Sequence, residues 1–200
     1  MEGDGKVSRR YGLVIDLERC TGCHTCTVAC KLENGIEEGS WITVRTVGGA
    51  RMDTAAGRYP ELRMGYEPRL CMHCAEPPCI DACPLEAITR RDDGIVLIDA
   101  ARCDGCRMCL AACPYGAITF DERAGVAGKC HLCAHRIDQG LEPFCVICCQ
   151  TEAIYFGDLA DPQSEVSRLV ASGRAFVLLP EEKTGPAVYY LPPLERRGLP

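Results

Sequence analysis

Apolar residues come in short runs along this chain, and several runs repeat with the same polar flanks. Val14-Ile15-Asp16-Leu17-Glu18-Arg19 and Leu97-Ile98-Asp99-Ala100-Ala101-Arg102 fall in register. Runs this short read as strands. A second set matches in the same way: Ala87 to Thr89, Ala117 to Phe120 and Ala153 to Phe156 are each predicted as strand. Ile42-Thr43-Val44-Arg45 reads as a further strand. Later, Asp161-Pro162 marks a helix start before Ser164 to Ala171. The chain then runs through Phe176-Val177-Leu178-Leu179 into Pro186-Ala187-Val188-Tyr189-Tyr190-Leu191. Such an extended, Pro-flanked apolar strip packs on its own domain or covers a partner surface, and the sequence leaves both open. The longest candidate for a membrane span, Ala175 to Leu179, falls far short of the roughly 18 to 20 apolar residues required, so no direct span is expected.

Cysteine fills the space between the repeated runs, 17 of 200 residues. The cysteines form four similar groups: Cys20, Cys23, Cys26, Cys30; Cys71, Cys74, Cys79, Cys83; Cys103, Cys106, Cys109, Cys113; and Cys130, Cys133, then after an insertion Cys145 and Cys149. All four end in C-x3-C. A disulfide scaffold is opposed by the odd number, the regular grouping and the lack of a signal peptide. Structural zinc needs two C-x2-C pairs, not repeated quartets. Cys20-Thr21-Gly22-Cys23-His24 matches the haem-attachment pattern C-x-x-C-H, but it occurs once and continues into Cys26 and Cys30. His73, His131 and His135 lie among groups that already supply four thiolates, and read as neighbours that tune hydrogen bonding.

The run C-x2-C-x2-C-x3-C is the bacterial ferredoxin pattern: three thiolates on a tight loop cap one cubane, and the fourth reaches the neighbouring cluster. Gly22 and Gly105 sit inside such loops, where positive φ lets the backbone wrap closely and aim N–H groups at sulfur. Downstream of the closing cysteines, Cys83-Pro84-Leu85-Glu86-Ala87-Ile88, Cys113-Pro114-Tyr115-Gly116-Ala117-Ile118 and Cys149-Gln150-Thr151-Glu152-Ala153-Ile154 match one another. The match selects Cys149, not Cys148, as the closing member of group four. Cys148 is left unassigned. Each unit reads as strand, ligand loop, a turn or two of helix, and strand. The fold class expected is therefore α+β, with two ferredoxin-like modules of two 4Fe-4S clusters each.

Net charge is −6, which argues against nucleic acid as the main partner. Ser8-Arg9-Arg10-Tyr11 looks like the start of a twin-arginine signal, yet Asp16, Glu18 and Arg19 interrupt the apolar stretch that would follow. We expect no targeting signal of its own, and hence a cytoplasmic protein or one exported folded beside a signal-bearing partner and then membrane-associated.

The four-quartet arrangement resembles the iron-sulfur electron-transfer subunits of the dimethyl sulfoxide reductase superfamily. The motifs carrying the likeness are Cys71-Met72-His73-Cys74-Ala75-Glu76-Pro77-Pro78-Cys79, Cys109 to Cys113 with Pro114-Tyr115-Gly116-Ala117, Lys129-Cys130-His131-Leu132-Cys133, Phe156-Gly157-Asp158-Leu159 and Val188-Tyr189-Tyr190-Leu191, over about Tyr11 to Leu191. The resemblance implies four 4Fe-4S clusters in two modules. One module spans 11–31 and 125–160, and the other 70–124. An insertion occupies 32–69, either a docking excursion or a solvated loop, and 161–200 form a C-terminal helix and extended docking tail.

By the same likeness, cluster 1 takes Cys20, Cys23, Cys26 and Cys149, and cluster 2 takes Cys130, Cys133, Cys145 and Cys30. Cluster 3 takes Cys71, Cys74, Cys79 and Cys113, and cluster 4 takes Cys103, Cys106, Cys109 and Cys83. Cys148-Cys149-Gln150 departs from the family, which usually has a non-cysteine before the last ligand and proline after it.

No Ser-His-Asp set, phosphate loop or dinucleotide fingerprint appears, so no catalytic residue is assigned and the chain is not expected to be an enzyme by itself. The function implied is an electron relay. It would serve a large catalytic molybdenum or tungsten pterin subunit on one side, and a quinone, cytochrome, ferredoxin or membrane anchor on the other. The alternatives are a free-standing polyferredoxin, or an accessory subunit of a transhydroxylase or tungsten aldehyde-type oxidoreductase.

Overall fold

The structure, a computed structural model, describes residues 9–194. Ser8 of the signal-like stretch and residues 195–200 of the C-terminal segment lie outside the described residues. The chain runs β1 (Tyr11–Asp16), α1 (Thr25–Asn34), β2 (Thr43–Val47), β3 (Gly65–Arg69), α2 (Pro78–Asp81), β4 (Ile88–Arg90), β5 (Val96–Ile98) and α3 (Met108–Ala112). It continues through β6 (Ile118–Asp121), β7 (Val126–Lys129), α4 (Ala134–Ile137), α5 (Phe144–Ile147), β8 (Ile154–Asp158), α6 (Glu165–Ala171) and β9 (Val188–Leu191). These are small helices and small sheets mixed along the chain. No described helix is long and apolar enough to cross a membrane.

β1 is the centre of a three-stranded sheet of order β8-β1-β9. It pairs antiparallel with β8, Leu13 opposite Phe156 and Ile15 opposite Ile154, and parallel with β9, Leu13 opposite Val188 and Ile15 opposite Tyr190. Both faces are covered, which is why Leu13, Val14 and Ile15 are continuous apolar residues without alternation, all fully buried. The strip from Pro186 to Leu191 therefore packs on its own chain. Tyr190 is fully buried, with its hydroxyl donating to the carbonyl of Pro68 at 2.8 Å. Three hairpins, β2-β3, β4-β5 and β6-β7, complete the strand pairing.

Residues 32–69 divide into a packed base and an exposed tip. Ile42 and Val44 are buried in the main core, with Trp41 against it, while Met52, Tyr59, Leu62 and Met64 are exposed.

Most helices are single turns. α3 ends where Pro114 forces Cys113 into extended backbone at φ −80° and ψ 110°. α1 is longer than the turn or two expected. No proline follows its closing Cys30, and it continues to a left-handed Gly35 whose N–H caps the Lys31 carbonyl.

Candidate cluster sites

Each cysteine loop turns on a residue of positive φ two places after its first cysteine: Gly22 (68°), His73 (44°), Gly105 (76°) and Leu132 (53°). This region disfavours any residue with a Cβ by roughly 1–2 kcal/mol. At two of the loops space is short as well. A Cβ on Gly22 would meet the Tyr66 ring at 2.3 Å, and one on Gly105 the Gly125 carbonyl at 2.5 Å. A second left-handed residue recurs three places after a closing cysteine, as Glu86, Gly116 and Glu152 follow Cys83, Cys113 and Cys149. In the backbone, too, Cys149 occupies the repeat position and Cys148 does not. The turn lets the Ala87 N–H donate to Cys83 Sγ and the Ala153 N–H to Cys149 Sγ, both at 3.3 Å.

The chain gathers sixteen cysteines into four sets. Cys20, Cys23, Cys26 and Cys149 line one small cavity, Cys30, Cys130, Cys133 and Cys145 a second, and Cys83, Cys103, Cys106 and Cys109 a third. Cys71, Cys74, Cys79 and Cys113 form the fourth set. Burial, with the charges of Cys71, Cys113 and Cys74 adding to it, pushes the Cys79 thiol up to about 12 against the opposing charge of Lys129. Cys148 caps α5 and lines none of the three cavities.

Neighbouring sets approach one another in single file. Cys145 is raised by burial, then by Cys130, Cys133 and Cys30 of its own set, then by Cys26 of the first set. Cys130 is raised by burial, by Cys30, and next by Cys71 of the Cys71/Cys74/Cys79/Cys113 set. Cys79 of that set and Cys109 of the last lie in one apolar cluster, with Cys83, Cys103 and Cys113 at its edge. The order is thus Cys20/23/26/149, Cys30/130/133/145, Cys71/74/79/113 and Cys83/103/106/109.

The donor chemistry bears on what such sets hold. Four sulfurs around zinc close to about 2.3 Å from the ion, and among the described residues no three His, Cys, Asp or Glu gather to hold a single ion. Quartets of sulfur donors facing a shared space fit an iron-sulfur cluster. Burial also pushes the free thiols up, Cys30 to about 11 and Cys26 to about 12, so the thiolate state calls for a cationic partner of the kind iron supplies.

The histidines have other partners. His73 Nδ1 accepts from the Val96 N–H at 3.0 Å, His131 Nδ1 from the Ala134 N–H at 3.2 Å, and His135 Nε2 meets Glu33 at 2.8 Å. His24 takes a left-handed backbone as the residue before α1. Three buried polar side chains stand out among the described residues: His73, Lys129 and Thr184. Composition and spacing mark neither of the last two as special. Thr184 shares a 2.7 Å hydrogen bond with Tyr115, and its hydroxyl opposes the burial that raises Cys74. Only the position of Lys129 directly before Cys130 could have flagged it.

Thiol quartets on left-handed loops, each with a helix and a following strand, define a ferredoxin-type iron-sulfur protein. Comparison with known families agrees: a 4Fe-4S dicluster domain matches residues 62–159, and a 4Fe-4S binding domain matches residues 11–32. The chain is 40% identical over 190 residues to a subunit of the tetrathionate reductase of Salmonella typhimurium, covering 94% of this chain and 74% of the relative. It is 40% identical over 212 residues to a subunit of the selenate reductase of Mesobacillus selenatarsenatis (90% and 70%), and 34% over 231 residues to the arsenate respiratory reductase iron-sulfur subunit of a Shewanella species (91% and 96%). The chain belongs to the family of iron-sulfur electron-transfer subunits of the dimethyl sulfoxide reductase superfamily.

Proposed function

We propose that this chain passes single electrons along four 4Fe-4S clusters between a catalytic molybdenum or tungsten pterin subunit and a second redox partner, a quinone, cytochrome, ferredoxin or membrane protein. The observation that carries it is the packing of successive cysteine sets against one another: Cys26, Cys30, Cys71 and Cys130 share one apolar cluster, and Cys79 and Cys109 share another. When bound, the clusters supply one-electron carriers whose potentials follow net charge, hydrogen bonding and exposure.

The chain's residues hold and tune them. Cys20, Cys23, Cys26 with Cys149, and Cys130, Cys133, Cys145 with Cys30, belong to a module of residues 11–31 and 125–160. Cys71, Cys74, Cys79 with Cys113, and Cys103, Cys106, Cys109 with Cys83, belong to a module of residues 70–124. The backbone donors at Ala87 and Ala153 favour the charged sulfur. Reduction or oxidation of a chalcogen or arsenic oxyanion takes place on the catalytic partner. This reading draws on the tetrathionate, selenate and arsenate reductases named among the relatives.

Anaerobic purification with metal analysis of the peak tests it. About sixteen irons per chain, co-eluting with a pterin metal, is the expected result. About sixteen irons on a chain that elutes alone would favour a free polyferredoxin. Zinc in place of iron would overturn the relay altogether.

A further inference from the structure

Charged side chains are seldom fully buried unless they are paired. Lys129 is 3% exposed, and its ammonium donates to two carbonyls, those of Val96 and of Cys130, the latter at 3.2 Å. None of the ion pairs among the described residues includes it. It ends β7, whose inward positions are Ala127 and Lys129, so the alternation of the strand sends this side chain inside.

Cysteines that belong to different parts of the chain surround it. Val96, its first acceptor, packs in one apolar cluster with Cys79 and with Cys109 of the outer set, and of these two it is Cys79 on which the Lys129 charge acts. Cys130, its second, packs in another with Cys30, Cys71, Cys74 and Cys145. The Val96 peptide is gripped from both sides: its carbonyl accepts from Lys129, and its N–H donates to His73 Nδ1. That bond leaves the proton on Nε2 of His73, a buried donor with no partner in the described chain.

We propose that Lys129 is the buried counter-cation shared by two adjacent clusters, those of Cys30/Cys130/Cys133/Cys145 and Cys71/Cys74/Cys79/Cys113, raising both reduction potentials at the crossing between the two halves of the relay. The inference rests on the four-cluster reading above. A four-thiolate cubane carries net negative charge and gains one more unit on accepting an electron, so a cation held in low dielectric favours the reduced form. The same thiolate clusters supply the countercharge that no ion pair among the described residues gives Lys129.

The test is an anaerobic potentiometric titration, followed by electron paramagnetic resonance, of the complex as isolated and of its Lys129→Met and Lys129→Arg variants, with iron counted on each. In Lys129→Met, two of the four couples are expected to fall so that, at fixed ambient potential, the reduced-to-oxidised ratio drops at least tenfold, about 59 mV for a one-electron couple. The other two couples stay in place, and Lys129→Arg restores the parent values. Cys23→Ser and Cys106→Ser perturb the two outer sites and identify the signals that should not move. Four unshifted couples in a Lys129→Met protein that keeps its iron would overturn the proposal, as would a common shift of all four. If Lys129→Met loses iron, Lys129→Gln, which still donates a hydrogen bond, takes its place under the same criteria. A parent protein with fewer than about sixteen irons would instead defeat the four-cluster reading, so the two failures are distinct.

Discussion

Gly105 and Gly116 both have positive φ, at 76° and 58°, yet their surroundings differ. A Cβ at 105 runs into the Gly125 carbonyl, whereas one at 116 meets nothing within 4 Å. Residues at the position equivalent to Gly116 are glutamates in the other two repeats, Glu86 and Glu152. Gly116→Ala is therefore expected to cost only the backbone term, about 1–2 kcal/mol. Gly105→Ala should cost about 2–3 kcal/mol from backbone strain plus displacement of Gly125, and should reduce iron bound by Cys83, Cys103, Cys106 and Cys109. Thermal unfolding of the holoprotein and iron analysis check both, and equal effects at the two positions would contradict the steric reasoning. Cys149→Ser should perturb one cluster signal and lower bound iron, while Cys148→Ser leaves iron and spectra unchanged. The two glycines were legible because repeats compare like with like. His73 and Leu132 were not, since a side-chain-bearing residue in left-handed backbone carries no compositional mark.

Among the elements, the strands that follow the closing cysteines lie within a residue or two of where the repeated Ala-Ile pairs put them: Ile88–Arg90, Ile118–Asp121 and Ile154–Asp158. The helix expected over 164–171 begins one residue later because Ser164 is its cap, accepting from the Ser167 N–H at 3.2 Å. Ser164→Ala should cost about 1 kcal/mol, measured as a lower unfolding midpoint. What joins β9 to the rest could not be read from the chain. β1 and β9 are parallel neighbours drawn from the two ends of the described residues, and the hydroxyl of Tyr190 reaches back to Pro68 at the β2-β3 hairpin. Tyr190→Phe removes that hydrogen bond to the Pro68 carbonyl, at an expected cost of about 0.5–1.5 kcal/mol. Tyr190→Ala, which also empties a fully buried site, is expected to cost about 3–5 kcal/mol. A Phe variant as damaging as the Ala variant would contradict this partition.

For the whole molecule, six of the buried residues in the main apolar core are themselves cysteines, Cys26, Cys30, Cys71, Cys74, Cys130 and Cys145, with Cys113 and Cys149 packed against them. A core built this way depends on what the thiols bind. Without iron, the thiols that line the cluster sites have only one another to pack against. Metal binding is then coupled to folding, as in other small metal-dependent domains. Anaerobic removal of iron is expected to abolish the native near-ultraviolet circular dichroism, and retention of that signal in iron-free chain would show that the polypeptide packs by itself.

The sequence by itself determined the chemistry: thiolate number, loop spacing, the repeat that ranks Cys149 over Cys148, and the short strands between. These are local properties, set by how far a few residues can reach and which backbone angles they accept. The tertiary structure alone decided that the C-terminal strip packs beside β1, that the base of the insertion enters the core, and that an ammonium lies buried between two cysteine sets. Those outcomes depend on which distant surfaces meet. The burial of Lys129 in particular comes from the charge and packing of residues some thirty to sixty positions away in the chain, Val96, Cys79 and Cys71, which no local pattern encodes.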